Sequence, residues 1–183
     1  MNFNELKELA KEGQVEAQYN LALMYSIGKD IPKNDSEAIK WYRRAAEQGF
    51  AEAQTNLGLM YGKGKGVELN FDEAVKWYRL AAEQGLAQAQ HNLGVMYGKG
   101  QGVVRDFFEA FWWFKLAAEQ GYGQAQYNLG LMYSRGEGTA KDYKQALKWY
   151  RLSAEKGISG AQSNLGLMYE KGLGVERDYV EAH

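Results

Sequence analysis

The chain has 183 residues, 45% of them hydrophobic, enough for one domain or one array of small units with a sizeable core. Lys plus Arg number 22 against 23 Asp plus Glu, so no basic footprint points to nucleic acid or to an anionic membrane as partner. No run approaches the roughly 20 apolar residues of a membrane span, and the absence of cysteine removes disulfides, thiolate metal sites and Cys nucleophiles together.

The N-terminal stretch "MNFNELKELAKEG" alternates charges and has no apolar segment, so it is not a signal peptide as it stands. With no Cys, the sequence as it stands reads as cytoplasmic; a preceding export segment would move it to the periplasm or outside the cell. Leu6, Leu9 and Ala10 give residues 1–12 the pattern of a half-helix that caps the first repeat.

From there the sequence repeats every 36 residues. "EAQYNLALMY" (16–25), "EAQTNLGLMY" (52–61), "QAQHNLGVMY" (88–97), "QAQYNLGLMY" (124–133) and "GAQSNLGLMY" (160–169) form one set. "NDSEAIKWYRRAAEQG" (34–49), "NFDEAVKWYRLAAEQG" (70–85), "DFFEAFWWFKLAAEQG" (106–121) and "DYKQALKWYRLSAEKG" (142–157) form the other. Each unit predicts two helices. In the first, Ala53, Leu57, Met60 and Tyr61 share one face of a 3.6-residue period; in the second, Ala74, Trp77, Tyr78 and Ala81 do.

The second helix opens on Asn34, Asn70, Asp106, Asp142 or Asp178 with Glu or Gln three residues on, which predicts a side-chain cap with a reciprocal acidic partner. It closes at Gly49, Gly85, Gly121 and Gly157, where a left-handed residue releases the chain into the next unit. Repeats therefore run over about 13–48, 49–84, 85–120 and 121–156, with a partial fifth over 157–183. The last unit stops at "DYVEAH", where His183 holds the place of Ile39, Val75, Phe111 and Leu147, as in a fragment of a longer array. Met168 and Tyr169 are expected to lack second-helix cover, leaving an exposed end suited to self-association.

The order A-x-A-Q-x-N-L-G-x-M-Y, G-x-G-V, D-x-x-E-A-x-x-W-Y, A-A-E-Q-G resembles the Sel-one-like repeat, a relative of the tetratricopeptide repeat, over nearly the whole chain. The resemblance implies an all-α, right-handed α-solenoid of antiparallel helix pairs whose first helices line a concave face. It also implies a scaffold or adaptor that binds a protein or peptide, not an enzyme. Helix pairs and stacking follow independently from the repetition, because one pair cannot bury its apolar face alone.

Chemistry-bearing signals are sparse: two His, no Cys, and glycine loops without the Gly-Lys-Ser/Thr ending of a phosphate cradle. No cofactor or metal is expected. Since some relatives of this repeat family are penicillin-binding or β-lactam-hydrolysing, the Ser-x-x-Lys pairs Ser26–Lys29 and Ser153–Lys156 are the enzymatic alternative, without a Ser-Asp-Asn or Lys-Thr-Gly companion. A helical-repeat RNA reader is the third class, and balanced charge argues against it.

Positions opposite the first helix's core face are expected to line the concave groove and to touch a partner: Glu52, Thr55 and Leu59, then Gln88 and His91, then Gln124 and Tyr127. The unvaried Asn column (Asn56, Asn92, Asn128) admits two roles, a ligand's backbone as in tetratricopeptide repeats or a structural hydrogen bond between units. Lys63, Lys99 and Arg135 near the helix ends suit acidic ligand groups, or the helix dipole alone.

The run "FFEAFWWF" divides by column. Phe107, Phe111, Trp113 and Phe114 match core or near-core siblings, whereas Phe108 and Trp112 stand where other units carry Ser36, Asp72, Lys144 and Lys40, Lys76, Lys148. These two form an apolar step on the convex side, a second candidate for partner contact or self-association.

Overall fold

The computed structural model describes residues 3–28 and 30–176. The expectations at Lys29, Asp178 and His183 lie outside them. The described residues form ten helices and no strand: α1 (Phe3–Lys11), α2 (Val15–Ile27), α3 (Asp35–Glu47), α4 (Ala51–Lys63), α5 (Phe71–Glu83), α6 (Ala87–Lys99), α7 (Phe107–Glu119), α8 (Gly123–Arg135), α9 (Tyr143–Glu155) and α10 (Ser159–Lys171). They fall into two compact units, residues 1–89 with 101–103 and residues 90–100 with 104–183.

In the first unit consecutive helices pack from α1 through α5. The half-helix α1 buries Leu6 and Ala10 against α2. In α4 the expected face is buried (Ala53, Leu57, Met60, Tyr61), and in α5 so are Ala74, Trp77, Tyr78 and Ala81. Asn34 Oδ1 accepts from Glu37 N–H at 3.0 Å, and Asn70 Oδ1 from Glu73 N–H at 3.0 Å, so both second helices open on the expected cap. The reciprocal half of that expectation changes. Glu73 turns forward along the helix, where it accepts from Trp77 Nε1–H at 3.1 Å and pairs with Lys76, because the Asn70 N–H it would have served already donates to Tyr61 O at 3.0 Å.

The second unit repeats these features. Asp106 Oδ1 accepts from Phe108 and Glu109 N–H, Asp142 Oδ1 from Lys144 and Gln145 N–H, and Glu109 takes Trp113 Nε1–H at 3.1 Å. Gly121 and Gly157 have φ of +85° and +78°, the left-handed C′ conformation expected of them. Gly138 has φ +67°, and a Cβ there would collide with the Phe107 carbonyl oxygen, so this loop glycine seats the α8–α9 turn on the start of α7. Met168 and Tyr169 are buried, contrary to the exposed end expected of them. Met168 packs with Ala146, Tyr150 and Ala161, and Arg151 Nη2 donates to the Tyr169 hydroxyl, so α9 already supplies cover.

A polar ladder runs beside the apolar core. Gln18, Gln54, Gln90 and Gln126 are each 4% exposed. In the first unit Gln54 Nε2 donates to Ala46 O at the end of α3 (3.1 Å), and Gln54 Oε1 accepts from Gln84 Nε2 (2.7 Å). Gln18 makes the same pair of bonds with Ala10 O and Gln48. The ladder thus satisfies helix-end carbonyls with side chains and fixes the register of one pair on the next.

Candidate functional site

The middle and later turns of the first helices carry Asn, Leu and Met. In the first unit, Leu23 and Ser26 of α2, Tyr42 of α3, and Asn56, Leu59 and Met60 of α4 enclose a cavity of about 180 Å³ with Asp35 and Lys65 at its mouth. Ser26 Oγ is bonded to Leu23 O at 2.9 Å and lies 3.3 Å from the Tyr42 hydroxyl. Burial raises the Tyr42 pKa, and hydrogen bonds from Ser26 and Asn56 partly offset the rise. Asn56 thereby reaches the Tyr42 hydroxyl of the preceding repeat from the wall of this cavity.

The second unit contains two cavities on the same columns. One, of about 280 Å³, is lined by Leu131, Ser134, Tyr150, Asn164, Leu167 and Met168. Here Ser134 Oγ lies 3.2 Å from the Tyr150 hydroxyl, and burial again raises the tyrosine pKa against hydrogen bonds from Ser134 and Asn164. The other, of about 350 Å³, is lined by Val95, Gly98, Phe114, Asn128, Leu131 and Met132, with Lys99, Arg135 and Glu137 at its rim. Phe114 offers no hydroxyl to Asn128. Asn128 Nδ2 instead donates to His91 Nε2 at 3.0 Å, and His91 Nδ1 faces Asn92 Oδ1 at 3.3 Å. These two contacts fit a neutral imidazole protonated at Nδ1, and burial lowers its pKa accordingly.

The columns expected to line a groove divide. Glu52, Gln88 and Gln124 are exposed, as are Lys63, Lys99 and Arg135, while Asn56, Leu59 and Asn128 are half-buried in the cavity walls and Asn92 is half-buried beside His91. Thr55 does not present itself to a partner: it is 2% exposed and its hydroxyl donates to Ala51 O. His91 packs between the rings of Phe114 and Tyr122, and Tyr127 packs against Tyr150 and beneath Gly160. In two repeats the residue that follows the second-helix glycine folds over this column, Phe50 on Tyr19 at 5.1 Å and Tyr122 on His91 at 5.2 Å. A first helix in a stack is therefore buried on more than one face, and a single-stripe reading places its back in solvent wrongly.

Phe108 and Trp112 are 75% and 53% exposed, while Phe114 is buried and Phe107, Phe111 and Trp113 are half-buried. The two serines of the enzymatic alternative are engaged in packing: Ser26 through Leu23 O and Tyr42, and Ser153, fully buried, by donating to Gly123 O at 2.8 Å. Among the described residues no three His, Asp or Glu side chains converge as metal ligands, and no helix is long and apolar enough to cross a membrane.

The signal that sequence reasoning passed over is the coupling between columns. Ser26 and Ser134 occur only with the tyrosines Tyr42 and Tyr150, whereas glycine stands with either ring, Gly62 with Tyr78 and Gly98 with Phe114. His91 stands where Asn128 lacks a tyrosine hydroxyl.

The Sel1 repeat pattern matches residues 15–50, 51–86, 87–122, 123–158 and 159–183. A crystal structure of a protective antigen from uropathogenic Escherichia coli, displaying an SLR fold, matches all of this chain at 44% identity and a TM-score of 0.96. The chain spans 39% of that protein's length. A Sel1 repeat protein from Oxalobacter formigenes matches 98% of the chain at 38% identity and TM-score 0.89, with 72% of its own length covered. The cysteine-rich protein B of Helicobacter pylori shares the fold at 22% identity and TM-score 0.54 over 67% of this chain and 93% of its own. No curated protein matches the chain. With five tandem matches that run from residue 15 to its end, the chain belongs to the Sel1 repeat family.

Proposed function

We propose that the chain binds a peptide or partner segment along the cavity-bearing face of its first helices. Sel1 repeat proteins are generally protein-interaction scaffolds, typically non-catalytic, and the finer assignment rests on one observation. Cavities recur on the same columns, each with an Asn in its wall and charged groups at its mouth. Asn56, Asn92 and Asn128 supply amide groups to a peptide backbone, Leu59 and its siblings supply apolar wall, and Lys63, Lys99 and Arg135 meet acidic groups. Glu52, Gln88 and Gln124 border that face, whereas Thr55 is withdrawn from it by burial. Photo-crosslinkers placed at Leu59 and Leu131, with Lys76 and Lys148 as second-helix controls, test the reading. Partner adducts arising only from the second-helix positions would overturn it.

The Phe108–Trp112 step is a second contact surface for a protein, supported by the exposure of two large aromatics where sibling repeats carry lysine or other residues. Replacing both by Lys leaves helicity intact and weakens self-association or partner capture. Unchanged sedimentation and pull-down profiles would remove this surface from consideration.

A further inference from the structure

Within the second unit, the cavity between α6, α7 and α8 departs from its siblings in one direction. Three columns carry smaller side chains here than at the two other cavities. Val95 stands for Leu23 and Leu131, Gly98 for Ser26 and Ser134, and Phe114 for Tyr42 and Tyr150. A methylene, a hydroxymethyl group and a phenolic hydroxyl are thereby removed from one wall. The result is the largest of the three cavities, about 350 Å³ against about 280 and 180 Å³. It alone reaches the range of roughly 300–1,000 Å³ usual for sites that enclose a ligand group.

The polar groups that remain are placed for a peptide. Asn128 commits its Nδ2–H to His91 Nε2, which leaves Oδ1 to accept a hydrogen bond. At the rim, Arg135 and Lys99 are exposed cations. Arg135 meets Glu137 only at 3.8 Å with its own side chain more than half exposed, so that pair is weak and the guanidinium is available. The rim carries two positive charges against one negative, whereas Asp35 and Lys65 cancel at the first-unit cavity.

Resting on the groove reading above, we infer that this cavity is a specificity pocket for a partner segment that presents a large apolar residue followed directly by Asp or Glu. The apolar side chain fills the space opened by Val95, Gly98 and Phe114. The segment's backbone N–H donates to Asn128 Oδ1, and its carboxylate meets Arg135 and Lys99. Desolvating an apolar side chain supplies the affinity, and the charge pair at the wet rim supplies selectivity.

The test is an NMR titration of the ¹⁵N-labelled chain with the peptide acetyl-Gly-Phe-Glu-Gly-amide, taken into the millimolar range. Analogues carry Ala for the Phe, and Gln or Lys for the Glu. Saturable shifts at Gly98, Phe114 and Asn128 are expected, with affinity falling at least several-fold for the Ala and Lys analogues. The triple variant V95L/G98S/F114Y installs the residues of sibling repeats, so it keeps the fold, as an unchanged thermal melt would verify, and it should lose at least tenfold in affinity. Absence of saturable shifts, equal binding of the Lys analogue, or undiminished binding by the folded triple variant would each overturn the pocket. Crosslinks from Leu59 with no peptide response at Gly98 would sink the pocket alone, whereas crosslinks confined to second helices would sink the groove reading with it.

Discussion

The polar joints around α4 and α8 occupy the same columns of the repeat, yet only one is complete. At α4, Gln54 both donates to Ala46 O and accepts from Gln84. At α8, Gln126 Nε2 donates to Ala118 O at 3.2 Å, but its Oε1 is buried without a hydrogen-bond partner. The cause lies 30 residues downstream, where Lys156 replaces the glutamine of Gln48, Gln84 and Gln120. A second orphan has the same kind of origin. Trp149 Nε1 is buried and unpaired: Gln145 stands where Glu73 and Glu109 accept from Trp77 and Trp113, and its single amide oxygen does not meet the indole N–H as a two-oxygen carboxylate does. A repeat column is a structural position with a fixed hydrogen-bond demand, and changing one partner leaves the other unsatisfied.

The largest expected effect comes from breaking the complete joint. Gln54→Ala strips a partner from Ala46 O and from the Gln84 amide at a buried position, and should cost about 1–3 kcal/mol in urea denaturation. Gln126→Ala removes one bond and an already unpaired oxygen, and should cost less by roughly 1 kcal/mol, one net hydrogen bond. Equal losses at the two sites would mean that the Gln84 contact contributes nothing.

Lys156→Gln restores the donor that Gln126 Oε1 lacks and should stabilise the chain by about 1 kcal/mol. Gln145→Glu offers Trp149 two carboxylate oxygens in place of one amide oxygen and places an acid in the first turn of α9, where it favours the helix dipole. The two sites share no partner in the present structure, so their effects on the denaturation midpoint should add. A Lys156→Gln variant no more stable than its parent would sever the link between the orphan oxygen and the departed glutamine.

Much of the fold is legible in the sequence, and the repeat explains why. Five copies of one helix and four of the next separate packing from surface by constancy alone: Leu57, Met60, Trp77 and Tyr78 are buried, and Asn70 and Asp106 cap, as their columns require. The inference from one helix to its surroundings is the step that fails. Thr55 lies opposite Leu57 on the helical wheel, and it is buried all the same. The cavities are hidden from a sequence reading for a related reason. Their walls come from residues about 20 and 35 apart, such as Val95, Phe114 and Asn128, so no single periodic stripe contains them. The Gln ladder leaves a trace, the loss of glutamine at Lys156 alone, but its meaning needs the geometry around Gln126.

The smallest expected effect concerns the joint where two members of the hydrogen-bond code are rewritten together, Phe114 with His91. Packed on His91 are Phe114 of α7, Asn92 of its own helix, and Tyr122 and Asn128 from the start and middle of α8; Tyr122 is the titratable member of this group. Burial lowers the His91 pKa below the ordinary 6.5, so the unfolded chain takes up this proton before the folded chain does. The stability it contributes is whole above about pH 6.5, declines as pH falls below that value, and levels off once the pH has passed the lowered folded-state pKa. We expect a loss of under about 1 kcal/mol, smaller than one net hydrogen bond, seen as a lower melting temperature at pH 5 than at pH 7.5. The variant His91→Tyr, which installs the residue of Tyr19 and Tyr127, should lack that increment; an identical pH dependence would exclude His91 as its source. Protonation also has a local consequence. An imidazolium donates at Nε2, so the Asn128 amide must turn over to offer Oδ1 to it, and the acceptor proposed for a peptide backbone is then consumed. Peptide affinity at the α6–α8 cavity should therefore fall in acid more steeply than stability does, and this excess should vanish in His91→Tyr.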